Sequence, residues 1–277
     1  MRYRYCLPSD IVTSAATITV TLGTVSTDPN YGLVSLHDEN PAKPCKFVDA
    51  PPVAVAILFN HGAPTRIDGL AIPSQNVDTG LAVRFQRNAT DSWGTPTQNA
   101  LFSIVAKDKD GHSKRPWIDL TAVAGYSVGG FQYSRLYIPV NSVAPQLGEV
   151  CLFTQLRSWE NGLRFDDEDA IERRYIPSLE TAYGVKTYYE QDVKQTRVTG
   201  TVVGGSADYT ALKDLVDETR GPCRGFVMVL DDQVLSDGGC LMRCGDSLSQ
   251  SLRRTSQTHD LFNLPVEFLE CSRGLPL

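Results

Sequence analysis

Between Thr17 and Phe153 apolar residues gather in eight short runs: TITVTLG, VAVAILF, RIDGLAI, LAVRFQ, LFSIVA, WIDLTAV, FQYSRLYIPV and GEVCLF. Each has strand length, several alternate apolar with polar positions, and almost none shows the three-to-four spacing of a helix face. Gly, Pro, Asn and Asp punctuate them, with turn chemistry at Asn60-His61-Gly62, Asp68-Gly69, Asp110-Gly111 and Gly129-Gly130. This pattern predicts an antiparallel β-sandwich.

The pattern changes after Gln195. QTRVTGTVVGG alternates as a strand and stops at Gly204-Gly205. Ser206 or Asp208 can cap a helix on which Tyr209, Leu212, Leu215 and Val216 form one stripe, while Lys213, Asp214, Asp217 and Glu218 face away. Gly221-Pro222 ends that helix, and FVMVL (226–230) follows as a short apolar run of buried-strand type. Strand, surface helix and strand therefore succeed one another from Gln195 to Asp231.

The segment RSWENGLRFDDEDAIERRYIPS, from Arg157 to Ser178, mixes an acidic cluster, Asp166 to Asp169, with basic residues and ends beside Pro177. Its composition predicts a linker with a short helix. The expected organisation is a sandwich over 1–157, a linker over 158–178, and a smaller α+β domain with one surface helix over 179–277, in which YGVKTYYEQDV forms the first strand pair. A chain of 277 residues accommodates two domains of ordinary size.

With 42% hydrophobic and 21% charged residues the composition is that of a folded chain. A net charge of -6 without a basic run removes the electrostatic footprint of a nucleic-acid binder. No apolar stretch approaches the roughly 20 residues of a membrane span, and MRYRYCLPSD lacks the apolar core of a signal peptide, so the expectation is a soluble protein made in a cytoplasm. Seven cysteines at irregular spacing, several inside strand-like runs, read as buried free thiols.

Two resemblances rest on these segments. Val198 to Val229 runs as a strand ending in Gly, a short Asp-containing helix, an Arg-Gly turn (Arg224-Gly225) and a strand beginning with Phe, and LFNLPVEFLE (261–270) supplies an apolar strand closing on Glu. In this order the segments resemble the distal-tail and tail-hub proteins of tailed bacteriophages. The first region resembles the discoidin or galactose-binding-like jelly rolls, on AILFNH (56–61), GLAIPSQN (69–76) and the run SRLYIPVNSVAPQLGE that begins at Ser134. Where such modules place a His-Asn pair this chain has Gln75-Asn76. The resemblances imply a virion structural protein that self-associates in a ring at the tail tip or baseplate and docks neighbouring tail proteins, assembled in the bacterial cytoplasm.

Chemistry-bearing motifs are few. Gly125-Tyr126-Ser127-Val128-Gly129 spells a nucleophile elbow, which needs a strand before the serine and a helix after it. Strand-like FQYSRLYIPV follows instead, so a glycine-rich turn is the plainer account, and a serine hydrolase using Ser127 is the remote alternative. The histidines, His37, His61, His112 and His259, stand far apart, and Cys240 and Cys244 have no partner pair for a zinc site. Asp108-Lys109-Asp110-Gly111 reads as a hairpin tip, and Asp166 to Asp169 as a helix start favoured by the helix dipole. No cofactor and no metal are expected. Asn76, Arg84 and Trp93 are the candidate ligand residues, with Trp117 beside them, because a sugar can stack on an aromatic face while loop side chains bond its hydroxyls. Host-surface glycan is thus the alternative partner. Lys213, Asp217 and Arg220 on the outer helix face are the candidate subunit interface.

Overall fold

The computed structural model describes residues 4–12, 17–37, 43–73, 75–104, 116–158, 163–164, 171–173, 179–180, 186–187, 194–220, 223–230, 238–245 and 262–271. The first half carries strands β1 (Arg4–Cys6), β2 (Thr17–Leu22), β3 (Cys45–Lys46), β4 (Val55–Thr65), β5 (Gly69–Ala71), β6 (Ala82–Asn88), β7 (Gln98–Ser103), β8 (Trp117–Asp119), β9 (Phe131–Ile138), β10 (Gln146–Leu147) and β11 (Cys151–Phe153). The second half carries β12 (Arg157–Ser158), β13 (Leu163–Arg164), β14 (Ile171–Arg173), β15 (Leu179–Glu180), β16 (Lys186–Thr187), β17 (Lys194–Gly204), helix α1 (Ser206–Thr219), β18 (Phe226–Leu230), β19 (Gly238–Cys244) and β20 (Phe262–Glu270). The protein is mainly β, with antiparallel pairing throughout and a single α-helix among the described residues.

All eight apolar runs of the first half contain a strand. They form a five-stranded sheet in the order β2-β4-β9-β6-β7 and a three-stranded sheet in the order β11-β5-β8, with the ribbon β10-β3 beside them. Val55, Ile57, Phe59, Val83, Phe85, Leu136 and Ile138 project from the first sheet into a core shared with Leu70 and Leu152 of the second. Successive residues of a strand point to opposite faces, so Leu70 and Leu152 turn toward the sandwich while Ala71, Cys151 and Phe153 turn away.

That opposite face is also buried. Ala71, Cys151 and Phe153 pack against Cys271, just past the end of β20, and against Cys6, Val227, Val229 and Leu241 of an eight-stranded sheet whose path runs β12-β1-β18-β19-β20-β17-β13, with β14 also on β17. The far side of this large sheet, with Tyr5, Val202, Phe226, Met228, Met242 and Phe268, meets Leu212 and Leu215 of α1. FVMVL is apolar at every position because Phe226 and Met228 face the helix while Val227 and Val229 face the sandwich. The molecule is thus a stack of four layers: five-stranded sheet, three-stranded sheet, eight-stranded sheet, helix.

Several expectations are corrected. Arg4–Cys6 pairs with Phe226–Leu230 and Arg157–Ser158, so the chain's first strand belongs to the second sheet and not to a sandwich spanning 1–157. Within the segment expected to be a linker with a short helix, 157–158, 163–164 and 171–173 are strands, and the remaining residues, Asp166 to Asp169 among them, lie outside the described residues. Of YGVKTYYEQDV, Lys186–Thr187 pairs with Leu179–Glu180, and the rest lies outside the described residues. Asp68-Gly69 is no turn: Gly69 opens β5 beneath the Phe153 ring, where an added Cβ would stand 2.2 Å from a ring carbon. Asn60-His61-Gly62 is an irregularity within β4, with Gly62 at φ 75°, rather than a break between strands.

The helix is capped differently from expectation. Its N-cap is Gly205, with no side-chain cap, and Asp208 is buried in the first turn, where the helix dipole favours a carboxylate. An added Cβ on Gly204 would come 2.1 Å from the Asp208 carboxylate, so a bare backbone lets the helix start lie against the end of β17. The chain leaves the helix through Arg220 in the left-handed conformation, φ 51° and ψ 47°. Glu218 does not simply face away, since its carboxylate accepts a bond of 3.0 Å from the Ser9 backbone N–H and ties α1 to the N-terminal segment.

Candidate functional site

The face of the five-stranded sheet turned away from the core supplies the candidate site. In β9 the residues Phe131, Ser134, Leu136 and Ile138 point inward and are buried, so Tyr133, Arg135 and Tyr137 point outward and are half-buried. From β6, Arg84, Gln86 and Asn88 also point outward, Arg84 exposed, Gln86 buried and Asn88 half-buried, and the register sets Arg84 opposite Tyr137, Gln86 opposite Arg135 and Asn88 opposite Tyr133. On the other side of β6, Leu101 of β7 stands opposite Arg84 with 59% of its surface exposed.

Trp93 closes over this row from the connection between β6 and β7. Asn88 organises that connection: its side-chain amide donates to Ser92 O at 2.7 Å, and its amide oxygen accepts from the Ala89 backbone at 3.0 Å and the Thr97 hydroxyl at 2.8 Å. Within the loop the Trp93 indole N–H donates to Asp91 Oδ1 at 2.7 Å, which sets the plane of the ring. The Arg135 guanidinium then lies 4.8 Å from the Trp93 ring centre and 5.6 Å from that of Tyr137. Both distances are within the range of a cation–π contact.

Arg135 is held from below as well. Its Nε and one Nη donate to Gln86 Oε1 at 2.9 and 2.5 Å, so the charge is fixed by a neutral amide and two rings rather than by a carboxylate. Burial lowers its pKa from the ordinary arginine value; Tyr137 and Asp91 oppose that shift and the like-charged Arg84 adds to it. It remains fully cationic at neutral pH. Of the five N–H donors of a guanidinium, two are used by Gln86.

Of the residues singled out in the sequence, Arg84 and Trp93 fall on this face and Asn76 does not. Asn76 is structural: its amide donates to Ala144 O at 3.2 Å and its oxygen accepts from the Gln146 backbone N–H at 2.7 Å, pinning 144–146 beside the approach to β6. Trp117 is also elsewhere, in the contact between the middle and large sheets, with the Arg4 guanidinium 4.7 Å from its ring centre and Arg4 paired to Asp119 at 3.1 Å. Arg135, Tyr137 and Gln86 were missed. The signal for them is the alternation in FQYSRLYIPV, which sets Tyr133, Arg135 and Tyr137 two residues apart on one face.

Comparison with known proteins gives no matching family model and no matching curated protein. Solved structures do match over about half of the chain. Chitosan-binding module 1 of a chitosanase/glucanase from Paenibacillus sp. IK-5 aligns at 17% identity over 50% of this chain and 92% of its own, with a TM-score of 0.34. The family 32 carbohydrate-binding module of NanJ from C. perfringens, solved with galactose, aligns at 9% identity over 56% of this chain and 99% of its own, with a TM-score of 0.37. The C-terminal domain of a chitobiase from Bacteroides fragilis aligns at 15% identity over 56% and 98%, with a TM-score of 0.37.

The other motifs are placed as follows. Gly125-Tyr126-Ser127-Val128-Gly129 lies in the connection between β8 and β9: Gly125 has φ 81°, Gly130 has φ 77°, and the Gly130 N–H bonds back to Ser127 O at 3.0 Å. Strand β9 begins at Phe131, so the serine sits on a glycine-rich turn and not on a strand-to-helix elbow. Tyr126 uses its hydroxyl to donate to Asp68 at 2.6 Å, where Arg66 also binds, which fastens the turn to the sandwich. Among the described residues no three His, Cys, Asp or Glu side chains converge as metal ligands. Lys213, Asp217 and Arg220 are all exposed on the outer side of α1.

Proposed function

We propose that the chain is a binding protein for carbohydrate, and that the outer face of its five-stranded sheet holds the saccharide. The observation that carries this reading is the fixed stack of Trp93, Arg135 and Tyr137 beside the exposed Arg84. A sugar ring offers apolar C–H faces that pack on aromatic surfaces and hydroxyls that bond to guanidinium and amide groups, and this face presents both. Trp, Tyr and Arg are also the side chains that concentrate binding energy at recognition surfaces. The site needs no catalytic group. A glycan array probed with the full chain tests the reading, the full chain being needed because Arg4–Cys6 completes the second sheet. Trp93→Ala should lower affinity for the bound glycan about tenfold or more while leaving the far-UV circular dichroism unchanged; a chain that binds no saccharide, or a variant that binds as the parent does, overturns it.

A second reading, assembly at a phage tail tip, is favoured by a different observation. The strand, helix and strand at 194–230 form in the order expected, and Lys213, Asp217 and Arg220 stand exposed on the helix. In this reading the chain closes a ring of identical contacts through that helix face and docks neighbouring tail proteins in the virion. Light scattering on the purified chain and immunogold labelling of particles test it. A stable monomer that is absent from particles refutes it.

A further inference from the structure

We infer that the saccharide held by this face is acidic, bearing carboxylate or sulfate groups; this rests on the carbohydrate reading above. Arg84 and Arg135 are diagonal neighbours on adjacent strands, since Arg84 stands opposite Tyr137 and Gln86 opposite Arg135. Arg84 is exposed, and among the described residues it has no ion pair or side-chain hydrogen bond. Arg135 is bonded to the neutral Gln86. Two like charges set side by side on a sheet face repel each other and weaken the sheet. The carboxylate acting on Arg135 is that of Asp91, and it is already engaged by the Trp93 indole.

The local charge also runs against that of the whole chain. The protein carries a net charge of -6, yet this face concentrates arginine and leaves it unpaired. A planar guanidinium matches the two oxygens of a carboxylate or of a sulfate group with two parallel bonds, and the geometry here leaves Arg84 and the outer N–H groups of Arg135 to provide them. Tyr137, between them in the register, supplies the surface on which the sugar ring rests. Two cations are too few to drive binding to a nucleic-acid backbone, which depends on neutralising many phosphates at once. An acidic saccharide needs only one or two anionic groups met together with a stacked ring.

The experiment is calorimetry on the full chain with four probes at low salt: oligogalacturonate for carboxylate, a heparin-derived oligosaccharide for sulfate, a neutral galactan oligosaccharide, and single-stranded DNA. The expected result is binding of one acidic probe about tenfold or more tighter than the neutral one, weakening as salt rises, with the stronger acidic arm naming the anion. Arg84→Gln should remove that preference without changing the circular dichroism, whereas Trp93→Ala should weaken acidic and neutral sugars together. Equal binding of acidic and neutral sugars, or an Arg84→Gln variant that keeps the preference, overturns this inference and leaves the carbohydrate reading standing. Absence of any sugar binding overturns both, and DNA binding as tight as that of the acidic sugar replaces the saccharide with a nucleic acid.

Discussion

Lowering the pH from 7 to 5 should remove a defined share of stability through one buried histidine. His61 projects inward from β4 with 8% of its surface exposed, its Nε2 3.1 Å from the Ser134 hydroxyl and its Nδ1 without a hydrogen-bond partner. Burial first, then the nearby Arg87 guanidinium and His37, push its pKa down from 6.5 to about 4. In the unfolded chain the same ring titrates near 6.5, so between those values the unfolded state takes up a proton that the folded state refuses. The stability is complete above pH 6.5 and is lost as the pH falls toward 4, amounting to about 3 kcal/mol in full and about 2 kcal/mol at pH 5. His37, also lowered to about 4 by burial, acts in the same direction but keeps some solvent contact. His61→Gln keeps a polar group facing Ser134 and cannot titrate. Urea unfolding of parent and variant at pH 7 and pH 5 isolates the effect, because carboxylate titration is common to both. The difference between the two pH values should be smaller by about 2 kcal/mol in the variant; identical differences would show that the ring is not held neutral by its surroundings.

Two further predictions concern the turn and the helix. Gly125→Ala should destabilise the fold by several kcal/mol, since the residue has φ 81° and an added Cβ would stand 2.1 Å from Thr97 O, while Ser127→Ala should stay within about 0.5 kcal/mol. Thermal melts check both, a fluorophosphonate probe is expected to leave Ser127 unlabelled, and labelling abolished by Ser127→Ala would refute the turn reading. Leu212→Asp should cost several kcal/mol because Leu212 is fully buried between α1 and the large sheet, and Lys213→Asp, on the exposed side, should cost little. Equal losses for the two in denaturant titrations would mean that the helix face is misassigned.

What could be read from the sequence, and what could not, follows from the range of the interactions involved. The eight strand-bearing runs and the helix stripe of Leu212 and Leu215 were legible because alternation and three-to-four spacing are local signals. Arg4–Cys6 was not, because a strand of three residues has no period to detect, and its place is decided by Val227, Met228 and Val229 more than two hundred positions away. The strands at 157–158, 163–164 and 171–173 are likewise too short to show a period in the sequence. In the candidate site, Arg84 and Trp93 were found by residue type alone. Arg135 and Tyr137 were passed over although their strand was recognised, because their meeting with Trp93 depends on a loop that Asn88 folds back across the sheet. Asn76 stands out in the sequence as a polar loop side chain, but its amide is used up on the backbone at Ala144 and Gln146.

The layer order bears on how the two functional readings relate. The proposed saccharide face is the outer surface of the first layer, and the exposed residues of α1 are the outer surface of the fourth, so the two candidate surfaces lie on opposite sides of the stack. Between them, β1 joins the large sheet, Arg4 pairs with Asp119 of the middle sheet, and Asp10 pairs with Arg157 at 3.0 Å. The apolar contact of Phe153 and Ala71 with Val227, Val229 and Leu241 fills the junction between the middle and large sheets. A ligand on the first layer and a protein neighbour on the helix would therefore not compete for surface. The two proposed functions, glycan recognition and assembly, thus call on different surfaces and do not exclude one another.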